Sequence, residues 1–135
     1  MRFAILTAIL FGATTHAGVC SVSDFKARSV IGHVCYEKGG QCIPIPGARV
    51  ELRRVTEDDT GTVLGKATAD GAGLFRIECP SSGKFWIRAS ANGFVAVSGR
   101  LIATRRAPTD HRIRVVLGWD MLAPCGGGYM KDDLP

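Results

Sequence analysis

The chain has 135 residues, with 17 Lys and Arg against 12 Asp and Glu and a formal charge of +5. That length suits one sandwich-sized domain with short tails, not two domains. The basic excess is mild, no run of Lys or Arg exceeds two, and the aromatics are not interleaved with bases, so a nucleic-acid platform is not expected.

Met1-Arg2 leads into an apolar stretch, Phe3 to Gly12, and small residues at Thr15 and Ala17 occupy the minus-three and minus-one positions of a cleavage site. Residues 1–17 read as a secretory signal peptide, because the apolar run is far shorter than the roughly 20 residues a bilayer span needs. The mature chain, with Arg2 removed, falls from +5 to +4 and holds no further stretch able to span. Residues 18–28 form an N-terminal extension, and the expected location is secreted or periplasmic.

All five cysteines, Cys20, Cys35, Cys42, Cys79 and Cys125, follow that cleavage point and would meet an oxidising compartment, so disulfides are expected. Five is odd and leaves one thiol over. No C-x-x-C pair exists and the histidines (His16, His33, His111) are scattered, so no zinc site and no other metal or cofactor is expected.

A first strand covers Ser29 to Cys35, and Glu37-Lys38-Gly39-Gly40-Gln41 turns the chain back. If that turn closes a hairpin, Cys35 and Cys42 flank it and sit opposite one another at a Cα separation suited to a disulfide. Pro44 and Pro46 remove backbone donors, so this stretch reads as an edge or connector. From Gly47 a second strand places Ala48, Val50 and Leu52 on the core side and Arg49, Glu51 and Arg53 in water. Thr56 to Gly61, with three consecutive acids, reads as a solvated loop, since the ordered oxygen spacing of a calcium loop is missing.

Val63 to Ala69 and Leu74 to Cys79 are paired strands around Asp70-Gly71-Ala72-Gly73, whose aspartate is expected to accept turn N–H groups. Phe85, Ile87, Ala89 and Ala91 alternate inward, with Trp86, Arg88 and Ser90 outward. Asn92-Gly93 turns the chain into Phe94 to Ala103, and the basic loop with Arg105 and Arg106 leads to a last strand, His111 to Leu117. In the tail, 119–135, only Trp119, Met121 and Leu122 are expected to pack, with Cys125 tying it down.

The residues Gly32-x-Val34, Pro46-Gly47-Ala48-x-Val50-x-Leu52, Thr68-x-Asp70-x-x-Gly73-x-Phe75-x-Ile77 and Gly83-x-Phe85-x-Ile87-x-Ala89-x-Ala91-x-Gly93-Phe94 resemble the carboxypeptidase regulatory-like family. That resemblance spans about 29–118 and implies a seven-stranded, antiparallel-rich Greek-key β-sandwich of transthyretin-like type. It also implies an accessory or binding module without catalytic residues of its own. Hydroxyisourate hydrolases share the fold but end in Tyr-Arg-Gly-Ser, which Gly128-Tyr129-Met130-Lys131 does not match. Cna protein B-type domains often join Lys to Asn, and the single Asn92 lies in a turn.

The expected function is therefore a non-catalytic secreted or periplasmic module binding a protein or cell-envelope component. Trp86, Arg88, Arg105 and Arg106 are its candidate surface, joined by Arg49, Arg53, Arg112 and Arg114 if these converge. The alternative is a carbohydrate-binding module stacking sugars on Trp86, Trp119 or Tyr129. An enzyme would have to draw its nucleophile and base from His33, His111 and Cys79, none of which lies in a recognised motif.

Overall fold

The computed structural model describes residues 22–55 and 62–133. The leader, Cys20 and the acidic Thr56–Gly61 loop lie outside the described residues. Ten strands are present: β1 (Asp24–Lys26), β2 (Ser29–Lys38), β3 (Gln41–Pro44), β4 (Arg49–Arg54), β5 (Val63–Thr68), β6 (Leu74–Glu78), β7 (Gly83–Ser90), β8 (Val97–Ala103), β9 (His111–Val116) and β10 (Tyr129–Asp132). They make an all-β sandwich of two five-stranded sheets. The first runs β1-β8-β7-β4-β5, and the second runs β10-β9-β2-β3 with β6 also paired to β2. Both sheets are mixed, because β1 lies parallel to β8 and β2 parallel to β9 while the other pairings are antiparallel.

The seven expected strands are all there, and β1, β3 and β10 raise the number to ten. The two-residue period explains the seven. Val50 and Leu52 of β4 and Phe85, Ile87 and Ala89 of β7 are fully buried, and meet Leu101 of β8 and Ile113 and Val115 of β9 in one core. The three added strands hold only three or four residues each: β3 is the return arm of a tight hairpin with β2, while β1 and β10 are defined by pairing with the distant β8 and β9.

The tail departs from the expectation at Met121 and Leu122, while Trp119 packs one edge against Tyr36 and Phe94. Trp119, Met121 and Leu122 are 57%, 82% and 91% exposed, whereas Met130 is buried at 3%. Residues 119–128 loop outward through a short 3-10 turn at Pro124–Gly127, and β10 then returns along β9. Gly99 makes room for it, since a Cβ there would stand 3.0 Å from the Met130 sulfur and 3.1 Å from the Phe25 ring.

The central turn is built as its residues imply. Asp70 Oδ1 accepts the N–H groups of Ala72 and Leu74, both at 2.9 Å, and the Gly73 carbonyl accepts the Val34 N–H at 2.8 Å. The turn is thereby pinned against β2.

Gly32 lies directly opposite Phe75 in the β2/β6 register, and the Phe75 ring fills the space a side chain would take. Phe75 is itself 5% exposed and has little freedom to swing away. Gly32→Ala is expected to destabilise the fold by about 2 kcal/mol in denaturant unfolding. In a double-mutant cycle with Phe75→Leu the two losses should be less than additive. Strict additivity would show that the close approach carries no cost.

Candidate functional site

Outward positions of the first sheet gather charge. The registers set Arg49 and Ser90 side by side, then Glu51 between Arg88 and Lys66, then Arg53 beside Trp86, which in turn neighbours Arg100. Lys84 and Lys26 flank Ile102 further along the same face. Seven cationic side chains thus share one face with only Asp24 and Glu51.

The two acids are engaged locally. Asp24 takes both a 2.7 Å bond from Arg100 Nε and a 3.0 Å bond from its terminal nitrogen, and Glu51 pairs with Arg53 at 3.0 Å. Lys26, Arg49, Lys66, Lys84 and Arg88 are exposed and have no ion pair among the described residues. Unpaired charges of one sign on a low-dielectric wall set up a field that draws anions. Trp86 stands in their midst, partly covered, with the Arg100 guanidinium 5.9 Å from its ring centroid.

Arg49 also rims a depression of about 270 Å³ lined by Ile45, Pro46, Gly47, Ala91 and Asn92. A charged side chain at the mouth of a concave site that adjoins a basic face is suited to an acidic group on an extended ligand.

The convergence inferred from sequence is therefore split. Trp86, Arg88, Arg49 and Arg53 come together on the first sheet. Arg105 and Arg106 are exposed in the turn past the end of β8, off that strand register. Arg112 and Arg114 lie outward on the second sheet, since their neighbours Ile113 and Val115 are buried, and Arg114 pairs with Asp133 at 3.2 Å. Lys26, Lys66, Lys84 and Arg100 complete the face, and sequence reading missed them because each is an isolated base on a different strand.

The aromatic candidates do not form one row. Trp119 packs edge-on against Tyr36 and Phe94, with ring centroids 5.9 and 6.0 Å away. Tyr129 on β10 donates its hydroxyl to Glu37. That hydrogen bond, followed by partial burial, holds the Tyr129 phenol above its ordinary range.

The cysteines resolve in part. Cys35 and Cys42 form a disulfide with a Cα separation of 5.4 Å, within the expected span. The bridge is diagonal, because Cys35 stands opposite Pro44 and Cys42 opposite Glu37. Cys125 is disulfide-bonded as well, and Cys79 is the free thiol among the described residues. Partial burial near the Ala27 carbonyl pushes the Cys79 thiol up.

His33, on the same outward side of β2 as Cys35, brings Nδ1 to 3.9 Å from Cys42 Sγ. The ligand atoms of His33, Cys35 and Cys42 all lie within 4.8 Å of one another. The sequence offered only indirect signals of this cluster: a two-residue spacing on one strand and a cysteine across the hairpin. The other histidine among the described residues, His111, meets Asp132 through Nε2 at 2.5 Å, while Ser29 Oγ is held by Asp110.

No protein-family model matches the chain, and no curated protein matches it. Among solved structures it is similar to the crystal structure of (S)-allantoin synthase, with a TM-score of 0.51 and 11% sequence identity. The match covers 84% of this chain and 46% of that one, so this chain spans under half of that protein. At that identity the likeness concerns the fold alone.

Two measurements check the site chemistry. Alkylation of Cys79 at pH 8 should be slow in the folded protein and accelerate on unfolding, because a raised thiol pKa leaves less thiolate; equal rates would contradict the burial. The Tyr129 phenol contributes stability that is fully present below about pH 10, its unfolded value, and is lost as pH rises through the higher folded value. Absorbance titration should show one of the chain's two tyrosines ionising late, and Glu37→Ala should remove most of the delay.

Proposed function

We propose that this chain is a secreted or periplasmic, non-catalytic binding module that engages an anionic component of the cell envelope, such as an acidic glycan or an acidic protein segment. The basic outer face of the first sheet carries this reading: five exposed cations with no ion pair among the described residues share it with Trp86, and Arg49 leads into the adjoining depression. Opposite charge would steer the ligand, and the indole would add stacking area. The leader, the disulfides and the lack of a membrane-spanning helix among the described residues fit delivery across a membrane.

For the fold family, we place the sandwich with carboxypeptidase regulatory-like domains of transthyretin-like Greek-key type. The support is the motif set from Gly32 to Phe94 and its placement at core positions and turns. The non-catalytic reading draws on the separation of the reactive groups. His33 sits by the hairpin disulfide, His111 is engaged by Asp132, and Cys79 has its sulfur directed to a backbone carbonyl. A neutral glycan is the alternative ligand, and the 57% exposure of Trp119 favours it.

The test is binding of the mature protein to immobilised acidic and neutral polysaccharides. Retention on the acidic matrix should fall steeply as salt rises through the physiological range. Arg49→Glu with Arg88→Glu should weaken it about tenfold, as four units of altered charge at an exposed surface allow. Arg105→Glu with Arg106→Glu should change it little. Salt-independent retention, or loss on Trp119→Ala with the double arginine variant unaffected, would move the site to the aromatic end and the ligand to a neutral sugar.

A further inference from the structure

We propose that the β2–β3 hairpin is a redox-gated metal site: once the Cys35–Cys42 disulfide is reduced, His33, Cys35 and Cys42 hold one thiophilic d10 ion, Cu+ or Zn2+. The inference stands on the hairpin alone and is independent of the anion-binding face.

Geometry is its first support. Zinc–sulfur bonds of about 2.3 Å at tetrahedral angles place two thiolates about 3.8 Å apart, and an imidazole nitrogen about 3.5 Å from each sulfur. Nδ1 of His33 is already 3.9 Å from Cys42 Sγ, and all three donor atoms lie within 4.8 Å of one another. The 5.4 Å Cα separation accommodates both the bridged sulfurs and the wider thiolate spacing, so β2 and β3 need not shift. His33 is held in place, because its ring is neighboured by Gly73 of the central turn, which is itself bonded to Val34.

Chemistry is the second support. Two thiolates and one imidazole form a soft donor set, the class that selects Cu+ and Zn2+ over hard cations. Cys35 is buried, whereas Cys42 and His33 are partly exposed, so an ion can reach the cluster from solvent.

The gate is ordinary thiol–disulfide exchange, with a dithiol protein or small thiol as reductant. A reductant thiolate attacks the accessible Cys42 Sγ and forms a mixed disulfide there, and Cys35 leaves as the thiolate. A second reductant thiolate attacks the reductant's sulfur in the mixed disulfide, which releases the Cys42 thiolate and the oxidised reductant. Two electrons pass to the hairpin, the ion enters without changing oxidation state, and any protons on the cysteine sulfurs pass to solvent.

The experiment titrates the full mature chain, oxidised and phosphine-reduced under anaerobic conditions, against Cu+ with a chromogenic copper chelator and against Zn2+ with a zinc dye. Three proteins are compared: wild type, Cys35→Ser with Cys42→Ser, and His33→Asn, which retains every thiol and the hairpin bridge. Reduced wild type should take up one equivalent more than the double serine variant, and oxidised wild type should not take it up. The His33→Asn variant should bind that equivalent more weakly by about 10- to 100-fold, the loss that follows even removal of a partner that only supports a ligand. The His33 ring resonances should shift with the same equivalent. Uptake of one ion and not the other identifies the cargo and supports the proposal. Equal uptake by oxidised protein, undiminished affinity in His33→Asn, or no uptake of either ion overturns it.

Discussion

The second sheet depends on the pairing of one strand, β2. Of its ten residues, Val30 to Cys35 lie parallel to β9 on one edge, and the other edge bonds first to β6 and then to β3, so β2 is paired on both sides through its middle. That double use demands a point where the cover can change from β6 to β3. The Asp70 turn supplies it, with the Gly73 carbonyl bonded to Val34 between the two partners. Gly32 lets the Phe75 ring lie over the strand, and Val30 and Val34 on the same side close the core.

The same strand exports its order to the surface. Alternation sends Val30 and Val34 inward, and therefore Ile31, His33 and Cys35 outward, where the hairpin folds Cys42 back over them. The clustering of one histidine and two cysteines is thus a by-product of strand parity and hairpin register. On the first sheet, parity likewise sorts Arg49, Arg53, Arg88 and Arg100 to one side of three paired strands. The two faces differ in kind: the first is dominated by unpaired bases, while on the second Arg76 and Arg114 meet Asp110 and Asp133.

What the sequence made legible follows from how local each signal is. β4 and β7 alternate so regularly that their buried and exposed sets could be read residue by residue, and the Asp70 turn announced itself through its aspartate and glycines. The diagonal disulfide was legible as a pair but not as a diagonal, because turn composition does not determine the register two residues further on. β1 and β10 were illegible. Phe25 and Met130 look like isolated apolar residues in polar tails, and only the space left at Gly99 gives them a common place to bury. The tail was legible only in part: Trp119 does pack, edge-on against Tyr36 and Phe94, but Met121 and Leu122 stand in solvent and the burial falls to Met130. The basic face required knowledge of strand order, since Arg49, Arg88 and Arg100 become neighbours only once β4, β7 and β8 are aligned.

The short span of the Cys35–Cys42 bridge bears on the protein's biogenesis. Seven positions separate the two cysteines, so closing the loop removes about 2 to 3 kcal/mol of chain entropy from the unfolded state and constrains only a hairpin at the edge of the second sheet. The core that joins the sheets, from Leu52 and Ile87 to Ile113 and Val115, is apolar side-chain packing and contains no part of this cross-link, since Cys35 is buried on the other side of β2 from Val34. This bridge therefore need not precede folding: a nascent chain can assemble β2 against β9 and β6 first, and the finished register then presents the two thiols to an oxidant already aligned. In this hairpin oxidation can therefore act as a late seal, templated by strand register and not by the cross-link itself.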